Sequence, residues 1–385
     1  MPFLPYGRQH IDDEDARAVE EALRSDYLTT GPRVAQFESA VAGIAGAQYG
    51  VAVSNGTAAL HCAMHALDIG PGDEVIVPPM TFAATANCVL YQGGRPVFAD
   101  VCEDTLLLDV TNVRKRITSR TRAIIVVDYA GQPADYADLG ALAHDHGLTL
   151  VADACHSLGG SYRGRPVGSL ADMTVFSFHP VKPITSGEGG MIVTDEASLA
   201  ERMRRFRNHG IDTDFRQRES SGSWEYAVVE LGYNYRLTDI QCALGLSQLR
   251  KLDSFRQKRE ALARYYLDLL LVRAPAVRPL FFHDDRVHGW HLFMVRIDYS
   301  GLGTDRATVF KALRARGIGV NVHYAPVHLH PLYRERLGTS EGTCPVAEAA
   351  YKELLTLPLH VGMEMRDVER VVDTLGDITC NCRRE

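Results

Sequence analysis

No run of apolar residues approaches the eighteen or so that a membrane-spanning helix needs, so a membrane partner is not expected. The sequence also lacks a basic run. Acids outnumber bases 48 to 41, and the net charge is -7 with neutral histidine, which argues against nucleic acid as the main partner. None of the eight cysteines forms a CxxC pair. Several sit inside apolar patterns, as Cys62 does in TAALHCAMHAL, and they read as reduced thiols used as small hydrophobes in a cytoplasmic protein. No strand-like run is followed by GxGxxG, which sets aside a nicotinamide dehydrogenase. His61 and His65 are spaced like the pair on a zinc-protease helix, but Cys62 stands where the catalytic glutamate would be, so no metal site is expected. There is no internal repeat and no low-complexity tract. The N-terminal stretch turns acidic before an apolar core develops, so export is not expected.

What is present is ordinary globular composition, 46% apolar and 23% charged, over 385 residues, enough for two to three domains. Through the first part of the chain, β-rich runs (DEVIVPP, RPVFADV, RAIIVVDYAG, LTLVADAC, DMTVFSF, GGMIVTD) alternate with helical ones such as ADLGALAHDHG. That alternation predicts an α/β fold on a mainly parallel sheet. The long helical stretch RKLDSFRQKREALARYYLDLLLV leads to an α+β pattern with predicted strands in WHLFMVRID and IGVNVHYAPVH. The expected organisation is a large α/β domain over 15–250 and a smaller α+β domain over 251–385, with residues 1–14 packing on the latter.

The most informative segment is SFHPVKPITSGEGGMIVTD. An apolar strand delivers Ser177, and Lys182 follows on a turn rich in Pro, Thr and Gly before the chain returns as a strand. A lysine in a rigid, close-packed site can present a free amine and form a Schiff base with an aldehyde cofactor. Upstream, Asp153 ends the apolar strand of LTLVADAC, where α/β sheets present functional groups. A carboxylate there can pair with a protonated pyridine nitrogen, although taken alone this aspartate favours a cap on the next turn. In VAVSNGTAALHCAM a short strand ends in Asn55, Gly56 and Thr57 and opens a helix, an arrangement suited to phosphate and also to a plain helix cap. Phe82 follows DEVIVPP and could stack on a planar ring or simply fill core.

Taken in order, SNGTAAL, VIVPPMTFAATAN, VVDYAGQPAD, VADACHSLGGSYRGRPVG, SFHPVKPITSGEGG, RNHGI and GYNYRLTDIQCALGLSQL resemble the DegT/DnrJ/EryC1/StrS sugar aminotransferases, which have fold type I and depend on pyridoxal 5′-phosphate. The resemblance implies a homodimer with active sites at the subunit interface. It makes Lys182 the lysine that carries the cofactor and moves the proton, and Asp153 the partner of the pyridine nitrogen. By the same resemblance His156 lies near the ring oxygen, Phe82 stacks on the ring, and Gly56, Thr57 and Ser177 bind phosphate. Asn234 reaches the partner subunit's cofactor. Relatives with histidine at the lysine position are dehydratases, and others are regulatory proteins. Lys182, and the lack of an appended DNA-binding module, favour transamination.

Within the family, HPVKPITSGEGG and DACHSLGGSYRGRPVGS look most like the aminotransferases of pseudaminic acid biosynthesis. This implies L-glutamate as amino donor and UDP-2-acetamido-2,6-dideoxy-β-L-arabino-hexos-4-ulose as acceptor, with other dTDP-, GDP- or UDP-linked 4-keto sugars as alternatives. The positions matching substrate contacts are Tyr6, Asp26, Tyr27, Leu28, Thr29, Ala58, Ser177, Asn234, Asn321, Val322, His323 and Tyr324. Arg207 and Arg236 are candidates for the diphosphate.

Overall fold

The computed structural model describes residues 2–213 and 215–382, and among these all side chains except those of 215–217, 381 and 382. In chain order the strands are β1 (Tyr49–Val53), β2 (Glu74–Val77), β3 (Arg95–Phe98), β4 (Thr121–Val127), β5 (Thr149–Asp153), β6 (Ser161–Tyr162) and β7 (Arg165–Pro166). They continue with β8 (Met173–Ser177), β9 (Gly190–Thr194), β10 (Val277–Pro279), β11 (Arg286–Val287), β12 (Phe293–Ile297) and β13 (Leu354–Leu357).

Seven strands form the central sheet in the order β1-β9-β8-β5-β4-β2-β3. Only β9 runs against the rest, pairing antiparallel with both β1 and β8. The core strands β2, β8 and β9 are buried at every residue, as continuous apolar strands covered on both faces must be. One core packs the helix Gly56–Ala66 against Val51, Val75, Ile125 and Val175. On the opposite face, Phe37 and Val41 of the helix Pro32–Ala45 meet Ala52, Ile124 and Phe176. Parallel strands whose neighbours are reached by helical crossovers present their carboxyl ends at one edge of the sheet. Here that edge gathers the residues that follow Val53, Val77, Val127, Asp153 and Ser177.

A second sheet, β10-β12-β13, carries its own core with the helices Leu252–Arg273 and Met365–Cys382. The N-terminal segment joins this core: Leu4 donates its N–H to the Gly317 carbonyl and accepts from Gly319 N–H. One sequence expectation needs correction. The segment IGVNVHYAPVH is not a strand; it makes only isolated bridges, Leu4 with Ile318 and Asn321 with Thr356, before turning away as a loop. Its Pro326 lacks an N–H for a ladder and favours that exit. The strand β13 lies inside AEAAYKELLTLPL, where an apolar run as short as Leu354–Leu357 gives no periodicity that separates strand from helix.

Candidate active site

Lys182 is placed by a hairpin. Strands β8 and β9 pair through Ser177 and Gly190, and residues 178–189 bridge them. Lys182 N–H donates to the His179 carbonyl at 2.9 Å, Ser186 N–H to the Phe178 carbonyl at 3.0 Å, and the Thr185 hydroxyl to the same carbonyl at 3.0 Å. A glycine is required at the start of β9, because a Cβ on Gly190 would stand 2.4 Å from the Asn55 carbonyl. Burial lowers the Lys182 ammonium from its ordinary range, against the opposing pull of the Cys155 thiol and the Asp153 carboxylate. A free amine is therefore easier to reach there than on a surface lysine.

Asp153 is the last residue of β5 and is buried. The Thr85 hydroxyl donates to its Oδ2 at 2.7 Å, with Thr81 2.6 Å behind Thr85, and Cys155 N–H reaches its Oδ1 at 3.4 Å. Asn55 caps the helix Gly56–Ala66: its Oδ1 accepts from Ala58 N–H at 2.8 Å and its carbonyl from Ala59 N–H at 3.1 Å. The N–H groups of Gly56 and Thr57 in the first turn have no partner within the helix and are set to meet an anion.

These pieces line one cavity of about 690 Å³. Tyr6, Gly56, Thr57, Ala58, Phe82, Asp153, His156, Ser177, Lys182, His323 and Tyr324 all border it. Asp26, Tyr27, Leu28, Asn234, Asn321 and Val322 do not. Thr29 borders a second cavity of about 630 Å³ together with Arg204, Arg205 and Arg236, and bridges to Thr238. Arg207 also borders that second cavity but is already committed, paired with Glu38 and donating to the Ala52 carbonyl, so it is a poor diphosphate ligand. Arg236 keeps a lighter tie, to Asn208 Oδ1 at 2.8 Å. Among the described residues no group of three or more His, Cys, Asp or Glu side chains could hold a metal ion.

His156 Nε2 lies 3.3 Å from the Tyr324 hydroxyl, and its ring is 4.4 Å from that of His291. Burial first, and the Lys182 charge second, push His156 well below the ordinary histidine range, so the ring is neutral. Sequence reasoning missed His291, which also lines the cavity, and it missed the fastening beneath the site. Asp128 is fully buried, and its Oδ1 accepts from Ala134 N–H at 2.8 Å and the Tyr136 hydroxyl at 2.9 Å. Its Oδ2 accepts from the Ser157 hydroxyl at 2.5 Å, beside His156. The segment VVDYAGQPAD carried the signal, an aspartate closing an apolar strand, but only the fold brings Ser157 to it.

Burial pushes the Asp128 carboxyl up to about 7, with the three hydrogen bonds opposing. A carboxyl raised on folding adds stability that is complete below its unfolded value near 4 and is lost as pH rises through about 7. Asp128→Asn removes this titration. Scanning fluorimetry should show the Tm of the wild type falling from pH 5 to pH 8 relative to the variant, by roughly 3 °C or more. Parallel profiles would refute the assignment.

The family of the chain follows from comparison. The DegT/DnrJ/EryC1/StrS aminotransferase family profile matches residues 9–376. The chain belongs to this family. It is 41% identical over 378 residues to the spore coat polysaccharide biosynthesis protein SpsC of Bacillus subtilis (strain 168), covering 98% of this chain and 97% of that one. Spr1654 of Streptococcus pneumoniae, solved in its PLP form, superposes with a TM-score of 0.91 at 30% identity over 99% of both chains. Helicobacter pylori PseC, an aminotransferase involved in the biosynthesis of pseudoaminic acid, superposes with a TM-score of 0.91 at 33% identity over 98% of this chain and 100% of that one.

The protein is thus a sugar aminotransferase of the α/β type, and its cofactor is pyridoxal 5′-phosphate. The cavity fits that group. Phe82 is 61% exposed at its wall, an apolar ring open to a planar partner. A Cβ on Gly56 would come within 3.1 Å of the Ser177 side chain, so glycine keeps the anion cradle open. No helix among the described residues is long and apolar enough to cross a membrane.

Proposed function

We propose that this enzyme moves the amino group of L-glutamate to C4 of a nucleotide-linked 4-keto-6-deoxy sugar, and that the sugar is UDP-2-acetamido-2,6-dideoxy-β-L-arabino-hexos-4-ulose. One observation carries the reading. The cavity that joins Lys182 to Asp153 is walled on its other side by Tyr6, His323 and Tyr324, from segments tied to the second sheet. The likeness to PseC supports the choice of sugar. The second reading is another nucleotide-linked 4-keto sugar, since the identity is higher to SpsC, a spore coat polysaccharide biosynthesis protein, than to PseC.

Bound pyridoxal phosphate supplies an aldehyde carbon and a ring that accepts electrons from the substrate carbon. The residues do the rest. Lys182 Nζ holds the cofactor and, when free, carries the proton between the substrate carbon and the cofactor carbon. The Asp153 carboxylate, oriented by Thr85, holds the proton on the ring nitrogen. Gly56 and Thr57 N–H groups and the Ser177 hydroxyl hold the phosphate, and Phe82 and His156 confine the ring.

The proposal includes a homodimer. Trp224 is 82% exposed and Leu231 79%, next to Asn234, which does not reach the cavity of its own chain. Exposed apolar side chains in one segment suit contact with a second copy. In the dimer Asn234 reaches the partner subunit's phosphate, and Arg236 offers charge to the diphosphate. Mixing inactive Lys182→Ala with weakened Asn234→Ala should restore activity, because one hybrid site is then fully native. No complementation would remove the shared-site proposal. The substrate is tested by mass spectrometry with glutamate and a panel of UDP-, dTDP- and GDP-linked 4-keto-6-deoxy sugars. A dTDP or GDP sugar aminated far better than the UDP-N-acetyl sugar would overturn the assignment and leave the family intact.

A further inference from the structure

The pair His61 and His65, spaced like zinc ligands in the sequence, takes a different part in the fold. Both stand on one face of the helix Gly56–Ala66, which opens on the phosphate cradle. His61 is buried, and its ring centroid lies 5.1 Å from each of Tyr91, Phe206 and Tyr233. Burial first, with His65 second, lowers it to about 4, so the ring is neutral. A polar ring in an aromatic cage needs a partner, and His61 Nδ1 has one in the Tyr235 hydroxyl at 3.1 Å. His65 stacks on Phe206 at 3.9 Å, and its Nε2 meets Glu230 at 3.3 Å. The two histidines thus grip the segment 230–235 at both ends.

Residues 233–235 run antiparallel to 207–209. Tyr235 N–H donates to the Arg207 carbonyl at 2.9 Å, and His209 N–H to the Tyr233 carbonyl at 3.0 Å. The Tyr235 carbonyl also accepts from Ser54 N–H at 2.8 Å, beside the cradle. In an extended run, alternate side chains take opposite faces. Tyr233 and Tyr235 share one face: their rings stack 5.0 Å apart, and both lie against His61. Asn234 therefore takes the other face. It is exposed and does not border the cavity of its own chain, and neither does His61.

We propose that His61 is a positioning residue for the other subunit's active site: by fixing Tyr235 on the body of its own chain, it sets Asn234 where that side chain meets the partner subunit's cofactor phosphate. This rests on the shared-site homodimer reading but not on the choice of sugar. A buried histidine that touches neither cofactor nor substrate in its own chain then governs cofactor retention across the interface.

The test asks which subunit feels the defect. His61→Phe keeps a ring in the cage and removes the nitrogen. Hybrid dimers, purified from co-expression with two affinity tags, are equilibrated at a series of pyridoxal phosphate concentrations and fixed with borohydride. Intact mass then reports the cofactor on the one chain that has Lys182. With His61→Phe on the Lys182→Ala chain and a wild-type partner, the half-saturating concentration should rise about tenfold over the hybrid of wild type with Lys182→Ala, the worth of one lost neutral hydrogen bond. With His61→Phe on the chain that keeps Lys182, it should stay at the value of that control. A rise in the second hybrid, or none in the first, would overturn the proposal. If His61→Phe chains do not assemble, His61→Leu, which also lacks the nitrogen, takes their place. Asn234→Ala on the Lys182→Ala chain separates the two ways of failing. If it raises the value while His61→Phe does not, only this proposal falls; if neither does, the shared site falls with it.

Discussion

Lys182→Ala should abolish turnover, by at least about 10⁴-fold, because one side chain supplies both the attachment of the cofactor and the proton carrier. The two roles separate by measurement. Borohydride treatment followed by intact mass should add the cofactor to the wild type and nothing to the variant, and the visible absorbance band should vanish with it. The variant should keep its fold, since the hairpin is held by backbone bonds at Lys182 and Ser186 and by the Thr185 hydroxyl, none of which uses the lysine amine. Turnover within tenfold of wild type would show that another group moves the proton.

The second large effect is expected from Asp153→Asn. The amide keeps the shape of the carboxylate and can still accept from the Thr85 hydroxyl, so the strand end stays in place. It cannot balance the positive charge of a protonated ring nitrogen. Breaking one side of a buried charge pair costs about 2–5 kcal/mol, which corresponds to roughly 30- to 4,000-fold in rate if it is expressed in the transition state. Lys182 remains, so the borohydride-fixed cofactor mass should persist while kcat falls for both half-reactions. Loss of the mass together with the rate would mean that Asp153 serves binding rather than electron withdrawal. Unchanged kcat would remove the pairing altogether.

That Lys182 and Asp153 come to one cavity was legible in the sequence, because each ends or follows an apolar strand and strand ends in an α/β sheet converge. Matched segments in a fixed order then supplied the family, which no single motif carried. What stayed hidden depends on contacts between segments far apart in the chain. Thr85 beneath Asp153, Ser157 on Asp128 and Thr356 on His323 are ordinary threonines and a serine until the fold sets them against their partners. The strand Leu354–Leu357 was hidden for a related reason: its character comes from pairing with Phe293–Arg296, and its own sequence is too short to declare it.

The one reversed strand, β9, bears on how this enzyme could be altered. A parallel return from β8 would need a crossover of a dozen or more residues, usually with a helix. The antiparallel return lets the lysine loop be stapled to the sheet at both stems, with Gly190 locked against Asn55. An inserted residue there would slip the register of β9 and turn its side chains to the wrong face. The stretch 325–344 that follows Tyr324 pairs with no sheet and contains two short helical turns, Val327–Leu329 and Pro331–Leu337. In 325–344 Val327, His328, Tyr333 and Cys344 are buried, so a change of length is tolerable there only at the exposed turn 340–342, and it is destructive in 178–189.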